Sequence, residues 1–265
     1  MIVYSDLDGT MLGPGGSLLR ASDRSWTLEP AKALISLHSQ GIPVVLVSGR
    51  TRAQLVEAAA LTGADGFIAE MGALLSWDHS RQTEILSGAA PPPLTRAPDD
   101  LVAELLKDFD GSLDIYDPWH EGHEVDILMR GRVDLVDVEA WLADRGFGWL
   151  RMRDNGVLPE AAAGANLRGS GPVHVFHLMP DGISKGLAVA RDLERRGLGP
   201  QDAIAVGDSA SDLTMAPYVG RFFLVANGAT HPHMPPLVAG HENSTITTGT
   251  NGAGFVEAAN HALGG

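Results

Sequence analysis

Two carboxylates lie one residue apart where the first apolar run of the chain ends. The run Ile2-Val3-Tyr4 is followed, after Ser5, by the segment 6–10, Asp-Leu-Asp-Gly-Thr. Side chains at positions i and i+2 of a strand share a face, so Asp6 and Asp8 point to one side. Two acids this close repel each other unless a cation or a shared proton relieves them. A bound divalent ion is the simplest relief, and a solvated strand end followed by a Gly-Thr turn is the alternative.

Two further apolar runs also stop at groups that can do chemistry. Residues 43–47 end at Ser48-Gly49-Arg50, which supplies a hydroxyl, a guanidinium and a glycine that lets the backbone approach a ligand closely. Residues 203–206 end at the segment 207–212, Gly-Asp-Ser-Ala-Ser-Asp, which adds two more acids. The pattern predicts three strands whose ends carry polar groups.

A lysine stands at the start of a helical pattern between these runs. Lys185 is one of three lysines among 19 basic residues, so arginine is the usual cation of this chain. A solvated lysine at a helix start is the alternative to a functional one.

In chain order, these four segments resemble the four motifs of the haloacid dehalogenase superfamily of phosphatases. Residues 6–10 are similar to the first motif, Ser48 to the second, Lys185 to the third and residues 207–212 to the fourth. An acid at position 8 is what phosphatases and phosphomutases of the superfamily show. The resemblance therefore implies phosphoryl transfer to a carboxylate.

The resemblance and the needs of phosphoryl transfer together imply a role for each residue. Asp6 is expected to be the nucleophile that forms an aspartyl-phosphate, and Asp8 the general acid and base. Lys185 is expected to neutralise charge on the phosphoryl oxygens. The groups expected to bind phosphate or substrate are Thr10, Ser48, Gly49 and Arg50.

Magnesium is the expected cofactor. The Asp6 carboxylate, the Asp8 backbone carbonyl and Asp208 would hold the ion, since Mg²⁺ prefers oxygen ligands. Asp212 is expected to orient a metal-bound water or Lys185 rather than bind the ion.

The elements that must position these groups alternate between strand and helix. Helical patterns over residues 26–40 and 51–61 separate the first strands, and residues 66–69 read as another strand. This alternation predicts an α/β fold with a Rossmann-like, doubly wound parallel sheet, whose ligands bind beyond the carboxyl ends of the strands.

The pattern of predicted elements changes from about residue 80. Helical patterns at 101–109 and 133–144 and strand patterns at 125–129 and 174–178 follow a proline-rich loop. We expect a core domain of residues 1–80 and 181–265, and an inserted α/β cap of residues 81–180. An insertion here resembles the Cof-type (type IIB) branch, which includes sucrose-phosphate phosphatase, mannosyl-3-phosphoglycerate phosphatase and the archaeal type of phosphoglycolate phosphatase.

Caps of this kind select the substrate, and two cap features leave alternatives open. The segment 119–126 is rich in ligand-type side chains, and it reads as a solvated loop, a metal site or a polar wall facing the substrate. Arg151 and Arg153 could share one face and meet a substrate carboxylate or a second phosphate, or they could be ordinary exposed arginines.

The amino-acid composition limits the classes of partner that the protein can bind. The 33 acidic and 19 basic residues give a formal charge of −14, which argues against nucleic acid and anionic membranes as partners. With no cysteine and no basic leader before the first strand, we expect a cytoplasmic protein. The oligomeric state is left open.

The sequence as a whole predicts a Mg²⁺-dependent phosphatase acting on a small phosphorylated sugar or sugar acid. A phosphomutase of the same superfamily is the first alternative. A catalytically inactive sugar-phosphate-binding protein is the second.

Overall fold

The computed structural model describes residues 1–158 and 167–264. The chain divides into two compact units. Met1–Glu84 and Ser184–Gly265 form one, here called the core unit, and Ile85–Ile183 form the other, here called the cap unit.

An eight-stranded sheet organises the core unit. In chain order its strands are β1 (Ile2–Ser5), β2 (Val44–Val47), β3 (Gly66–Ala69), β4 (Leu74–Trp77), β5 (Gln82–Ile85), β10 (Ala203–Gly207), β11 (Arg221–Leu224) and β12 (Ser244–Ile246). Their spatial order is β12-β11-β10-β1-β2-β3-β4-β5. The six strands from β12 to β3 are parallel, whereas β4 runs antiparallel to β3. The predicted fold class is confirmed.

The register of the central strands brings their carboxyl ends level. Ser5, the last residue of β1, lies opposite Val206 of β10 and Leu46 of β2. The residues that follow these three strands therefore meet at one edge of the sheet.

Helices flank the core sheet. They are α1 (Glu29–Ser39), α2 (Arg52–Thr62), α5 (Lys185–Arg196), α6 (Ala210–Leu213), α7 (Met234–Ala239) and α8 (Gly252–Ala262). Leu37, Leu55 and Phe255, from α1, α2 and α8, are fully buried in one apolar cluster with the central strands. The helix predicted to begin at residue 26 begins instead at Glu29, because Trp26 forms a β-bridge with Arg20.

The cap unit, in its described residues 85–158 and 167–183, contains a four-stranded antiparallel sheet that packs with two α-helices. Its elements are α3 (Asp99–Asp108), β6 (Leu113–Ile115), β7 (Ile127–Gly131), α4 (Leu135–Asp144), β8 (Leu150–Val157) and β9 (His174–Pro180), with the strands in the order β6-β7-β9-β8. Both helices pack on the same sheet face, where Leu105 and Leu142 meet Met129, Met152 and Phe176. Side chains alternate along strands, so Arg130, Arg153 and His177 belong to the second face.

Among the helices of residues 1–158 and 167–264, none combines the length and the apolar character needed to cross a membrane.

Candidate active site

The site residues follow the carboxyl ends of three neighbouring parallel strands. Asp6 comes directly after β1, Ser48 after β2 and Asp208 after β10. The backbone N–H of Asp6 donates to the Val206 carbonyl at 3.0 Å, which continues the ladder one residue past β1. This is the sheet edge where the sequence predicted that ligands bind.

Lys185 links two of the acids. It is the first residue of α5, which Ser184 caps by accepting a hydrogen bond from the Leu187 N–H at 3.1 Å. The Lys185 Nζ donates to Asp6 Oδ1 at 2.9 Å and to Asp212 Oδ1 at 2.6 Å, and the side chain is only 4% exposed. Burial alone would lower the pKa of Lys185, but the two carboxylates outweigh it and raise that pKa well above its usual value.

A strained turn lies against the start of the lysine helix. Glu70 and Met71 have φ values of 50° and 58°, in the left-handed region that costs energy for residues other than glycine. Gly72 follows with φ of 106°, and a Cβ atom there would lie 2.3 Å from the Ser184 carbonyl oxygen. Only glycine fits this contact, so the turn determines how closely the start of α5 approaches the sheet.

Three carboxylates form a compact acidic cluster. One oxygen from each of Asp6, Asp208 and Asp212 lies within 4.8 Å of the others. Burial raises the pKa of Asp6 to about 7, helped by the charge of Asp212 and opposed by Lys185. Burial and the charges of Asp212 and Asp6 raise the pKa of Asp208 to about 8. The cluster therefore carries more negative charge than its one lysine neutralises, which is the environment that a divalent cation stabilises.

Both carboxylate oxygens of Asp212 accept hydrogen bonds from other groups of the protein. Its Oδ1 accepts from Lys185, and its Oδ2 accepts from the backbone N–H groups of Asp208 and Ser209 at 3.1 and 3.0 Å. These contacts hold Lys185 and the Asp208 loop in place. They favour the predicted orienting role of Asp212 over direct metal binding.

Asp8 and Arg50 form a two-bond ion pair. The Arg50 Nε donates to Asp8 Oδ2 at 2.7 Å and its Nη2 donates to Asp8 Oδ1 at 2.6 Å. Asp8 is 55% exposed on its side chain, unlike the buried Asp6. The guanidinium that the sequence assigned to the phosphate is thus bound to the predicted acid/base in this structure.

The remaining residues predicted to bind phosphate follow the neighbouring strands β1 and β2. Thr10 is fully buried, and its Oγ1 has no hydrogen-bond partner. The Ser48 hydroxyl accepts from the Arg50 N–H at 3.3 Å, across Gly49. A buried hydroxyl without a partner costs about 1–3 kcal/mol, so Thr10 is consistent with a site that a ligand completes.

Two asparagines that were not predicted from the sequence donate hydrogen bonds to the first motif. The Nδ2 groups of Asn227 and Asn251 both donate to the Gly9 carbonyl, at 2.8 and 3.0 Å. Gly9 has φ of 83°, and a Cβ atom there would lie 2.1 Å from Asp208 Oδ2. Asn227 follows the apolar strand β11 by three residues, and that position was the available signal.

The cap segment 119–126 is solvated at its start, where Trp119 is 55% exposed, and buried at its end. His123 is 8% exposed and Asp126 is fully buried. Asp126 accepts hydrogen bonds from the Nδ1 atoms of His123 and His177, so this part of the segment is a buried polar cluster within the cap.

Comparison with known proteins decides the family. A family model described as haloacid dehalogenase-like hydrolase matches residues 3–92 and 160–231, which is more than half of the chain. The chain belongs to this family. The match includes all four predicted motifs, and the resemblance to capped, Cof-type members is confirmed.

Curated relatives cover almost the whole chain at low identity. A phosphoglycolate phosphatase from Methanococcoides burtonii is 26% identical over 262 residues, which is 98% of this chain and 96% of the relative. A phosphoglycolate phosphatase from Halorubrum lacusprofundi is 27% identical over 84% of this chain and 82% of the relative. The predicted enzyme class, a phosphatase of this family, is confirmed.

Solved structures share the fold. The sucrose-phosphatase from Synechocystis, determined with sucrose and phosphate, aligns over 99% of this chain and 97% of its own with a TM-score of 0.69 and 14% identity. A haloacid dehalogenase-like hydrolase from Bacteroides thetaiotaomicron aligns over 98% of both chains with a TM-score of 0.66 and 20% identity. At these identities the likeness supports the core and cap architecture alone.

Proposed function

We propose that this protein is a Mg²⁺-dependent phosphatase that hydrolyses a small phosphorylated sugar, sugar acid or related carboxylic acid through an aspartyl-phosphate. One observation carries the proposal: the buried Asp6 lies in a cluster with the partly buried Asp208 and the buried Asp212 and Lys185 at the carboxyl edge of the sheet. The curated relatives named phosphoglycolate phosphatase make phosphoglycolate the first substrate to test.

The chain's own residues account for both half-reactions. An Asp6 oxygen attacks phosphorus and forms the new O–P bond, while the bond to the leaving oxygen breaks and Asp8 gives that oxygen a proton. Asp8 then takes a proton from water, which attacks phosphorus and frees Asp6 and inorganic phosphate. Lys185 stays beside the Asp6 carboxylate and offsets charge on the phosphoryl oxygens, and the Thr10 hydroxyl donates to one of them.

The Asp8–Arg50 pair adds a condition to this scheme. Each Asp8 oxygen accepts one hydrogen bond from the Arg50 guanidinium in this structure. In our proposal Asp8 separates from Arg50 for the acid step, which frees the guanidinium to meet the phosphate as the sequence predicts.

The residues present fit a divalent ion. Asp6 and Asp208 offer carboxylate oxygens whose pKa values are raised by burial and by the charge of Asp212, and the Asp8 backbone carbonyl is the third proposed ligand. Oxygen-only ligands suit Mg²⁺ rather than the thiophilic metals. When bound, the ion would neutralise phosphoryl charge as a Lewis acid.

The cap unit, in our proposal, selects the substrate. The expectation of no nucleic-acid or membrane partner rests on the acidic composition. This expectation and that of a cytoplasmic location stay predictions.

Phosphate release tests the proposal. Phosphoglycolate, sugar phosphates and glycosyl-3-phosphoglycerates are supplied with Mg²⁺ or with EDTA, to the wild type and to Asp6→Asn. We expect Mg²⁺-dependent release of inorganic phosphate from one substrate class and none from Asp6→Asn, because an amide is not a nucleophile here. An isomerised sugar phosphate without stoichiometric phosphate would instead identify a mutase. Activity retained by Asp6→Asn would refute the mechanism.

A further inference from the structure

Three buried nitrogen atoms without hydrogen-bond partners lie on the second face of the cap sheet. They are Nε of Arg130, Nε of Arg153 and Nε2 of His177, three of the five side-chain atoms of this kind among the described residues. Each buried polar group left unpaired costs about 1–3 kcal/mol. Their concentration on one face indicates a common cause, and a bound ligand is one that would satisfy all three.

The strand register places the three side chains around one patch. Arg153 of β8 lies directly opposite His177 of β9. Arg130 of β7 lies opposite Val175, two residues along β9 from His177. Side chains directly opposite have Cβ atoms about 5 Å apart, and diagonal neighbours lie about 7–8 Å apart. We call the patch formed by Arg130, Arg153 and His177 the arginine face.

A buried carboxylate fixes the orientation of His177. The imidazole is 1% exposed, and its Nδ1 donates to Asp126, which also accepts from His123. Burial alone would raise the pKa of Asp126, but the charge of His177 and both hydrogen bonds outweigh it and hold that pKa well below its usual value. The contact of His177 with Asp126 leaves Nε2, the atom without a partner, directed away from Asp126.

Each of the two arginines is paired with an acid but keeps an Nε–H donor without a partner. Arg130 Nη2 pairs with Asp114 at 3.4 Å, and Arg153 Nη2 pairs with Asp181 at 3.3 Å. Asp181 also pairs with Arg151 at 3.4 Å, and Arg151 has a second acid, Glu139, at 4.0 Å. None of these acids reaches the Nε atom of Arg130 or Arg153. A carboxylate has planar acceptor oxygens that match such planar donors.

We propose that the arginine face binds a carboxylate, with the Nε–H groups of Arg130 and Arg153 as its hydrogen-bond donors and the buried His177 between them. The carboxylate belongs either to the substrate or to a free small organic acid. The first source would define the substrate class as phosphorylated carboxylic acids, and that step alone rests on the proposed function.

Binding is tested without turnover, by NMR of the arginine Nε–Hε signals in the full chain. Sodium glycolate is the carboxylate probe, glycolamide its uncharged match and inorganic phosphate the competing anion. We expect saturable shifts of the Arg130 and Arg153 signals with glycolate and none with glycolamide. The signal of Arg168, a 71% exposed cap arginine paired with Asp110, should not follow them. The absence of saturable glycolate shifts, or shifts caused by phosphate alone, would overturn the proposal.

Kinetics then distinguishes the two sources. The ratio of kcat/KM for phosphoglycolate to that for 2-hydroxyethyl phosphate is measured in the wild type, Arg130→Gln, Arg153→Gln, His177→Gln and the control Arg168→Gln. If the substrate supplies the carboxylate, the three face variants lower this ratio at least about tenfold through KM, Arg153→Lys restores part of it, and Arg168→Gln keeps it. An unchanged ratio with glycolate binding intact identifies a free organic acid as the ligand. If the wild type hydrolyses neither these two esters nor any other substrate of the phosphate-release panel while glycolate still binds, the proposed function fails and the carboxylate site stands.

Discussion

Replacing Lys185 by methionine tests how much the core depends on one buried ammonium. Methionine keeps the unbranched apolar chain but removes the charge that Asp6 and Asp212 share at 2.9 and 2.6 Å. Breaking a buried ion pair by removing one partner costs about 3–5 kcal/mol, because the remaining carboxylates stay buried without their cation. We expect the free energy of unfolding, measured without metal, to fall by this amount.

The loss should depend on pH in a defined direction. In the wild type the pKa of Asp6 is raised to about 7 and Lys185 opposes that rise, so Lys185→Met raises this pKa further. A carboxyl group with a raised folded-state pKa stabilises the fold at low pH and loses that contribution as pH rises through the folded-state value. The loss that is due to Asp6 ends near pH 7 in the wild type, whereas in the variant it continues at about 1.4 kcal/mol per pH unit. The difference between the two proteins should therefore widen by up to about 2 kcal/mol from about pH 7 to about pH 8.5.

Urea denaturation in EDTA, followed by both tryptophan fluorescence and circular dichroism, measures these changes. Lys32→Met is the matched control, because the Lys32–Glu29 pair is 63% and 61% exposed and is worth less than about 1 kcal/mol. If Lys185→Met is no more harmful than Lys32→Met, or if its deficit shrinks above pH 7, the electrostatic reasoning is refuted.

Three further predictions address the acid/base, the metal and the scaffold. Asp8→Asn should slow turnover roughly 100- to 10,000-fold in single-turnover assays, and a wild-type rate would remove Asp8 from the mechanism. MgCl₂ should raise Tm more at pH 8 than at pH 6, because the ion must displace protons from Asp6 and Asp208 at the lower pH. A larger shift at pH 6 would contradict this. Asp192→Asn should cost about 1–3 kcal/mol in urea denaturation while kcat is kept, because the buried Asp192 accepts from Tyr4 at 2.9 Å and from two arginines. Unchanged stability would contradict that.

The ends of the strands could be predicted from the sequence because a few adjacent residues define each of them. An apolar run that stops at Asp6 or Asp208 is visible in a few residues, and parallel pairing then brings such ends together. The Arg50 contact was not visible in the same way. A guanidinium can bind either a carboxylate or a phosphate. Only the folded geometry shows that Arg50 binds Asp8 in this structure.

The buried polar contacts of the cap could not be predicted from the sequence. His123 and Asp126 look like loop residues because a polar segment is usually solvated. Their burial depends on His177, 51 residues beyond Asp126 in the chain, which reaches the same carboxylate through strand pairing. Asn227 and Asn251 are similar, since each supports Gly9 across more than 200 residues of sequence. Contacts of this range follow from topology, which a single sequence encodes only through the fold.

Chemical trapping at Asp6 tests the central claim most directly. Borohydride reduces an acyl phosphate to an alcohol, so an aspartyl-phosphate formed during turnover is converted into homoserine and located by peptide mass spectrometry. With the substrate that releases phosphate, we predict homoserine at position 6, dependent on substrate and on Mg²⁺. Homoserine at Asp208, or undiminished phosphate release with no modified residue at position 6, would contradict the mechanism.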